Sequence, residues 1–208
     1  MSEPHLRQVL GAAAAGAGLH LRDVGLPGVL SDAQAREAAA AWGLLAEGPG
    51  GAPTVVVLVD GLGLELLRER LGHAPTLRSW LSASSMGPAA RTGSGPGPVA
   101  RTCTPSTTAA ALTSLGTGAL PGVTGMVGYS VLNPLLDRTL LVDTAPHPEQ
   151  NLCLITWEGR APDPRAWQDV PTIFERLERD PDRPRPRGEP GAPLAVTIGP
   201  ARFAGSGL

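Results

Sequence analysis

The chain is short of aromatic residues, of charge and of cysteine, and each shortage narrows what it can be. Aromatics make up 3% and charged residues 17% of its 208 residues. The net charge is −2, so there is no basic surplus of the kind that grips a phosphate backbone, and no nucleic-acid partner is expected. The two cysteines, Cys103 and Cys153, form neither a metal-type spacing nor a disulfide framework, which suits a reduced, cytoplasmic compartment. No apolar run is long enough to span a bilayer, so no membrane partner is expected. Val9 to Leu19 is small and mildly apolar and follows Arg7. Glu3 is acidic and the run is mostly Ala and Gly, so it is a poor copy of a secretory signal. Glycine (27) and proline (22) are abundant instead, which means many loops. The length suits one domain with a sizeable core.

The chain is organised around Thr104-Pro105-Ser106-Thr107-Thr108, which runs straight into Ala109 to Leu115. Pro105 disfavours helix in the residue before it. Ser106, Thr107 and Thr108 are N-cap types, the alanine run is a good helix former, and Gly116 and Gly118 end it. The expectation is a short helix with a hydroxyl at its N-terminus, where free amides and the helix dipole favour an anion. An ordinary capped helix would read the same way.

Upstream, Thr54-Val55-Val56-Val57-Leu58-Val59 is a continuous apolar run, the pattern of a parallel strand buried on both faces. It ends in Asp60-Gly61-Leu62-Gly63. Ligands of open α/β sheets bind beyond the carboxyl ends of strands, and a carboxylate there can hold a divalent cation or simply cap the next helix. The third glycine of a dinucleotide fingerprint is missing, with Leu66 in its place.

Taken together, these two stretches resemble the alkaline phosphatase superfamily, in its nucleotide pyrophosphatase/phosphodiesterase-like branch. In that branch a strand ends in a metal-binding Asp-Gly, and a Pro-x-x-Thr segment supplies the nucleophile. A Thr-Gly and a Pro-x-x-x-Gly turn follow. Asp60 matches the metal ligand, Thr108 the nucleophile, Thr117-Gly118 and Pro121 to Gly125 the later landmarks. The resemblance implies an α/β fold: three α/β/α layers around a mostly parallel central sheet. It implies a hydrolase acting on small phosphate esters through a phospho-threonine intermediate. It also implies two divalent metal ions, usually zinc, of which Asp60 and Thr108 would serve one.

The chain also departs from the pattern. Where the branch has an asparagine touching the substrate phosphate, Tyr129 stands here, and Asn133 lies close by in sequence; either could donate to the phosphate. Thr124 occupies a position where the family often has His. None of His5, His20, His73 and His147 falls in the family's metal-binding motifs, and the last residues read as the middle of a domain. A truncated, catalytically incomplete half-domain is therefore the alternative expectation, with a phosphomutase or sulfatase relative behind it. The sulfatase reading would use Cys103, which lies five residues before Thr108 and out of register.

The remaining organisation follows from local signals. Residues 1–53 read as a helical lead-in, with Ser31 or Asp32 capping a helix to Leu45; residues 54–208 read as the N-terminal part of the phosphodiesterase domain. Leu64 to Leu71 is amphipathic with Gly72 as its stop, His73 sits at the helix end, and Pro75 to Leu81 continues as helix. Arg91 and Arg101 could face a phosphate or be solvated. Met126 to Leu132 and Thr139 to Val142 read as a hairpin around Asn133-Pro134. Asn151 to Trp157 and Leu194 to Ile198 read as buried strands, and Pro171 to Leu177 as a helix. Trp157 and Trp167 read as packing residues, and residues 180–193 as an exposed Pro/Arg-rich loop. A sheet cut short would leave an edge open to association.

Overall fold

The computed structural model describes residues 3–45, 53–84, 99–135, 150–158, 161–179 and 195–199. Arg91, Thr139 to Val142 and residues 180–193 lie outside them. Eight α-helices and four short strands are described: α1 (Val9–Gly16), β1 (Leu19–Leu21), α2 (Asp32–Ala41), α3 (Leu64–Glu69), α4 (Pro75–Ser84), α5 (Thr108–Thr117), α6 (Pro121–Thr124), β2 (Ser130–Leu132), β3 (Asn151–Cys153), α7 (Pro164–Trp167), α8 (Ile173–Arg176) and β4 (Leu177–Arg179). The class is mixed α/β. No helix among the described residues is long and apolar enough to cross a membrane.

The N-terminal segment contributes buried residues to two hydrophobic clusters. Helix α1 is almost all alanine and glycine, and its small side chains let α2 lie close. A Cβ on Gly11 would stand 2.5 Å from Leu30 Cδ2 and 3.1 Å from Ala35 Cβ on α2, so a larger residue there would push its neighbours aside. Ala12, Ala15, Ala38 and Ala39 form the contact, with Trp42 at its edge. Ser31 caps α2 as expected: its hydroxyl accepts from Gln34 N–H at 3.2 Å, and Gln34 Oε1 accepts from Ser31 N–H at 3.1 Å. This reciprocal pair satisfies two donors that a helix start leaves open. Asp32 ties α2 to β1, with Oδ1 accepting Leu21 N–H at 2.8 Å and Oδ2 accepting Arg36 Nε at 2.9 Å.

Strand β1 pairs antiparallel with β4, so the N-terminal unit closes on residues near the far end of the described chain. Arg176 fastens this closure. It is 0% exposed; its Nε donates to Arg22 O at 2.9 Å and its guanidinium donates to Leu30 O at 2.7 Å. Burying a charge is costly unless it is hydrogen-bonded, and these two carbonyls meet that cost in part. Thr172 caps α8 with Glu175 in the same reciprocal way. Leu21, Leu30, Ala35, Ala14 and Ile173 fill the space beneath.

Three strand expectations are corrected. Residues 54–59 form no strand, and Val55 to Val59 are 84, 39, 70, 51 and 53% exposed. Residues 195–199 likewise form no strand, with Val196 72% and Ile198 95% exposed. An apolar run becomes a strand only when neighbours take its amides and cover its faces. No such neighbour is present among the described residues, where both sheets are two-stranded and antiparallel. Strand β2 pairs with β3, and only Asn151–Cys153 of the expected longer strand is extended in a ladder. Leu152 and Leu154 nevertheless point inward, onto Ala109 and Met126. Trp157 and Trp167 pack edge to face at 6.1 Å on the same cluster, as packing residues should.

Two expectations follow. Replacing Arg176 with Leu leaves the carbonyls of Arg22 and Leu30 without donors and should cost about 2–4 kcal/mol in denaturant unfolding. For Asp32, burial pushes the carboxyl up, but the Leu21 amide, Arg36 and His20 outweigh it and hold it below its ordinary value. A depressed carboxyl stabilises above its unfolded value, about 3.9, and that stabilisation disappears as pH falls through the folded one. The melting temperature of the parent should therefore drop below about pH 4 more steeply than that of Asp32→Asn.

Candidate active site

Helix α5 is built as its sequence dictates. Thr107 is the N-cap in extended conformation, and Ala111 N–H to Thr107 O at 2.8 Å is the first helical bond. Ala109, Ala110, Thr113, Ser114, Leu115 and Thr117 are buried, which fixes the helix axis. Gly118 ends the helix with φ +74°, a conformation that favours glycine. Gly125 ends α6 in the same way at φ +72°. Thr117 Oγ1 donates to Thr113 O at 2.7 Å and accepts Ala119 N–H at 3.1 Å, so the Thr-Gly pair seals the exit from the helix.

At the other end, the cap is left open. Thr107 makes no side-chain cap bond, and its buried Oγ1 has no hydrogen-bond partner among the described residues. The amides of the first turn are therefore not answered by the N-cap side chain, and the dipole adds to their attraction for an anion. Thr108 occupies the first helical position, half-buried, with its hydroxyl at this mouth.

Asp60 reaches the same place from the opposite direction. Residues Val59 to Leu62 form a turn, closed by Leu62 N–H to Val59 O at 3.3 Å and made possible by Gly61 at φ +74°. Thr108 Oγ1 donates to Asp60 Oδ2 at 3.0 Å, across 48 residues of sequence. The pair is exposed to solvent on one side. A hydroxyl held by a carboxylate at this distance has its proton directed away from the entering atom, the relation a nucleophile needs with its activating group.

Tyr129 and Asn133 flank β2 and are not part of that pair. Tyr129 is 53% exposed, and its carbonyl accepts Leu154 N–H at 2.9 Å. Asn133 is buried, and its Oδ1 accepts Leu135 N–H at 3.0 Å inside its own turn. Thr124 is also engaged locally, its Oγ1 accepting Met126 N–H at 3.3 Å. Cys103 is 2% exposed and donates to Pro105 O, so its thiol faces the chain and not the mouth. Both cysteines are free. His73 is exposed at the end of a one-turn 3-10 helix, Leu71–His73.

Among the described residues, no three of His, Cys, Asp and Glu gather as a metal cluster. Asp60 and Thr108 offer one carboxylate and one hydroxyl, hard oxygen donors that suit a divalent cation. They fit part of one metal's shell, since a zinc site usually takes four ligands.

Sequence reasoning missed the tie between Arg101 and the N-terminal residues. Arg101 was read for phosphate or solvent; it joins Glu3 Oε1 at 2.6 Å and exchanges backbone hydrogen bonds with Pro4 and Leu6. No local pattern announces a contact across so much sequence.

A family model described as Type I phosphodiesterase / nucleotide pyrophosphatase matches residues 54–188, well over half of the chain. The chain belongs to that family. No curated protein and no solved structure matches it.

The seal at Gly118 gives a direct check. A Cβ there would lie 2.7 Å from Leu30 Cβ, in a left-handed conformation. Gly118→Ala should lower stability by about 2–3 kcal/mol in denaturant titration, about 1–2 of it from the backbone conformation alone.

Proposed function

We propose that the chain is a metal-dependent phosphoesterase whose nucleophile is Thr108 and whose metal-holding carboxylate is Asp60. The observation that carries this reading is the 3.0 Å hydrogen bond from Thr108 Oγ1 to Asp60 Oδ2. Two motifs far apart in sequence meet there, side chain to side chain, and the family match begins at the run that delivers one of them. The alkaline-phosphatase-like architecture with a mostly parallel central sheet belongs to the same proposal, as does the boundary between residues 53 and 54.

The substrate class is a small phosphate ester. Its non-bridging oxygens would lie against the first-turn amides of α5, which the unengaged Thr107 side chain leaves free. Asp60 Oδ2 keeps the Thr108 proton on the side away from phosphorus. The Thr108 proton passes to Asp60 as its oxygen forms the new bond to phosphorus and the bond to the leaving alkoxide breaks; the alkoxide takes up that proton by way of solvent, and a phospho-threonine remains. Water attacks that phosphorus in the second half and regenerates the hydroxyl. A divalent cation held by Asp60 and Thr108, zinc by family resemblance, would lower the hydroxyl pKa and offset charge on the phosphoryl oxygens. Tyr129, exposed beside β2, is the proposed further donor to the phosphate, with Asn133 as the less accessible candidate.

The test is hydrolysis of bis-p-nitrophenyl phosphate with and without zinc. Zinc-supported turnover should fall about 10³-fold or more in Thr108→Ala, as for loss of a covalent nucleophile. In Asp60→Asn it should fall too and recover partly at higher zinc. Undiminished turnover in Thr108→Ala would sink the reading. Comparison with p-nitrophenyl phosphate separates a diesterase from a monoesterase.

A further inference from the structure

The helix that carries Thr108 lies inside the family match, yet residues that precede the match hold both of its ends. On the entry side, Leu6 N–H donates to Arg101 O at 2.7 Å and Arg101 N–H donates to Pro4 O at 2.9 Å. They form one parallel rung between His5 and Arg101. Glu3 Oε1 meets Arg101 Nε beside it, at 2.6 Å. The one-turn 3-10 helix Leu6–Gln8 then packs against α5. On the exit side, Leu30 N–H donates to Gly118 O at 3.0 Å, and Val29 bridges Ala119.

We propose that residues 3–30 are a clamp that sets where the Thr108 hydroxyl stands relative to Asp60, with Leu6 as a positioning residue acting through its backbone N–H. The proposal rests on the reading of Thr108 as nucleophile. The buried face of α5 fixes its axis, but residues 102–107 enter the helix without regular structure. Six residues without regular secondary structure can span about 20 Å, while a nucleophile must be held to within about 0.5 Å. The rung at Arg101 is a backbone tie immediately before that irregular stretch. The contact at Gly118 prevents the helix from sliding along its axis at the other end. Thr108 is thus positioned by two attachments that both come from outside the family segment.

The structure supplies a clean way to remove one tie. Leu6 is the first residue of its 3-10 helix, and His5 before it is extended at φ −134°, ψ 146°. Proline is favoured at a first helical position and prefers an extended residue before it, so Leu6→Pro deletes the N–H with little backbone demand. Leu6→Ala removes the same side chain and keeps the N–H. Hydrogen exchange of the full chain, read by mass spectrometry over residues 101–112, should run about 2- to 10-fold faster in Leu6→Pro than in Leu6→Ala, with α2 unchanged. In zinc-supported hydrolysis, kcat should fall by a similar factor while KM stays the same, the signature of a misplaced nucleophile and not of lost binding. Equal exchange in the two variants overturns the clamp. Should Leu6→Pro fail to fold, Glu3→Arg is compared with the swapped pair Glu3→Arg/Arg101→Glu. The single change should speed exchange over the same residues and the swap should restore it; absence of restoration overturns the proposal. Turnover retained in Thr108→Ala would overturn the nucleophile reading alone, because the exchange comparison does not depend on activity.

Discussion

Helix α5 begins at a hydroxyl whose position is fixed from both directions, and the rest of the described structure is arranged to keep it so. Its buried face rests on Met126, Leu152 and Leu154 through Ala109, and its ends are tied to residues near the N-terminus. Those residues are in turn held by Arg176, which carries two carbonyls of the 22–30 segment. A buried arginine some seventy residues beyond Thr108 therefore bears on the placement of that hydroxyl. Its effect passes through Leu30, whose carbonyl takes the guanidinium while its amide takes Gly118 O.

The two partners of the central hydrogen bond are supported unequally. Thr108 starts a helix with six buried residues. Asp60 follows five exposed apolar residues and a glycine-dependent turn. The pair is joined by a single bond of 3.0 Å, so the acid is positioned by the hydroxyl as much as the hydroxyl is by the acid. This mutual dependence gives the open cap of Thr107 its meaning. A side chain that satisfied the first-turn amides would compete with the anion that the family's chemistry requires.

Features fixed by near neighbours in sequence were legible. The Ser31 cap with Gln34, the start of α5 beside Thr107 and Thr108, its stop at Gly118 and the Pro121 to Gly125 turn all follow from side chains within one helical turn. The convergence of Asp60 and Thr108 was legible through family resemblance, because order and spacing of motifs carry that information. What depends on distant partners was not. Val55 to Val59 has the composition of a central strand and lacks, among the described residues, the neighbours that would make it one. Strand β2 pairs with β3, a partner further along the chain. Arg176 sits in a Phe-Glu-Arg-Leu pattern with no local sign of burial, and only tertiary contact reveals it as fully buried.

The exposed ribbon from Val55 to Val59 gives Asp60 a second duty. A short, apolar, β-branched segment without charge is the composition that stacks with copies of itself into cross-β ladders. Pro53 stands at one end and Asp60 at the other, and proline and a charged side chain are the residue types that act as gatekeepers against such stacking. The carboxylate that accepts the Thr108 hydroxyl is therefore also the charge beside this self-adhesive stretch.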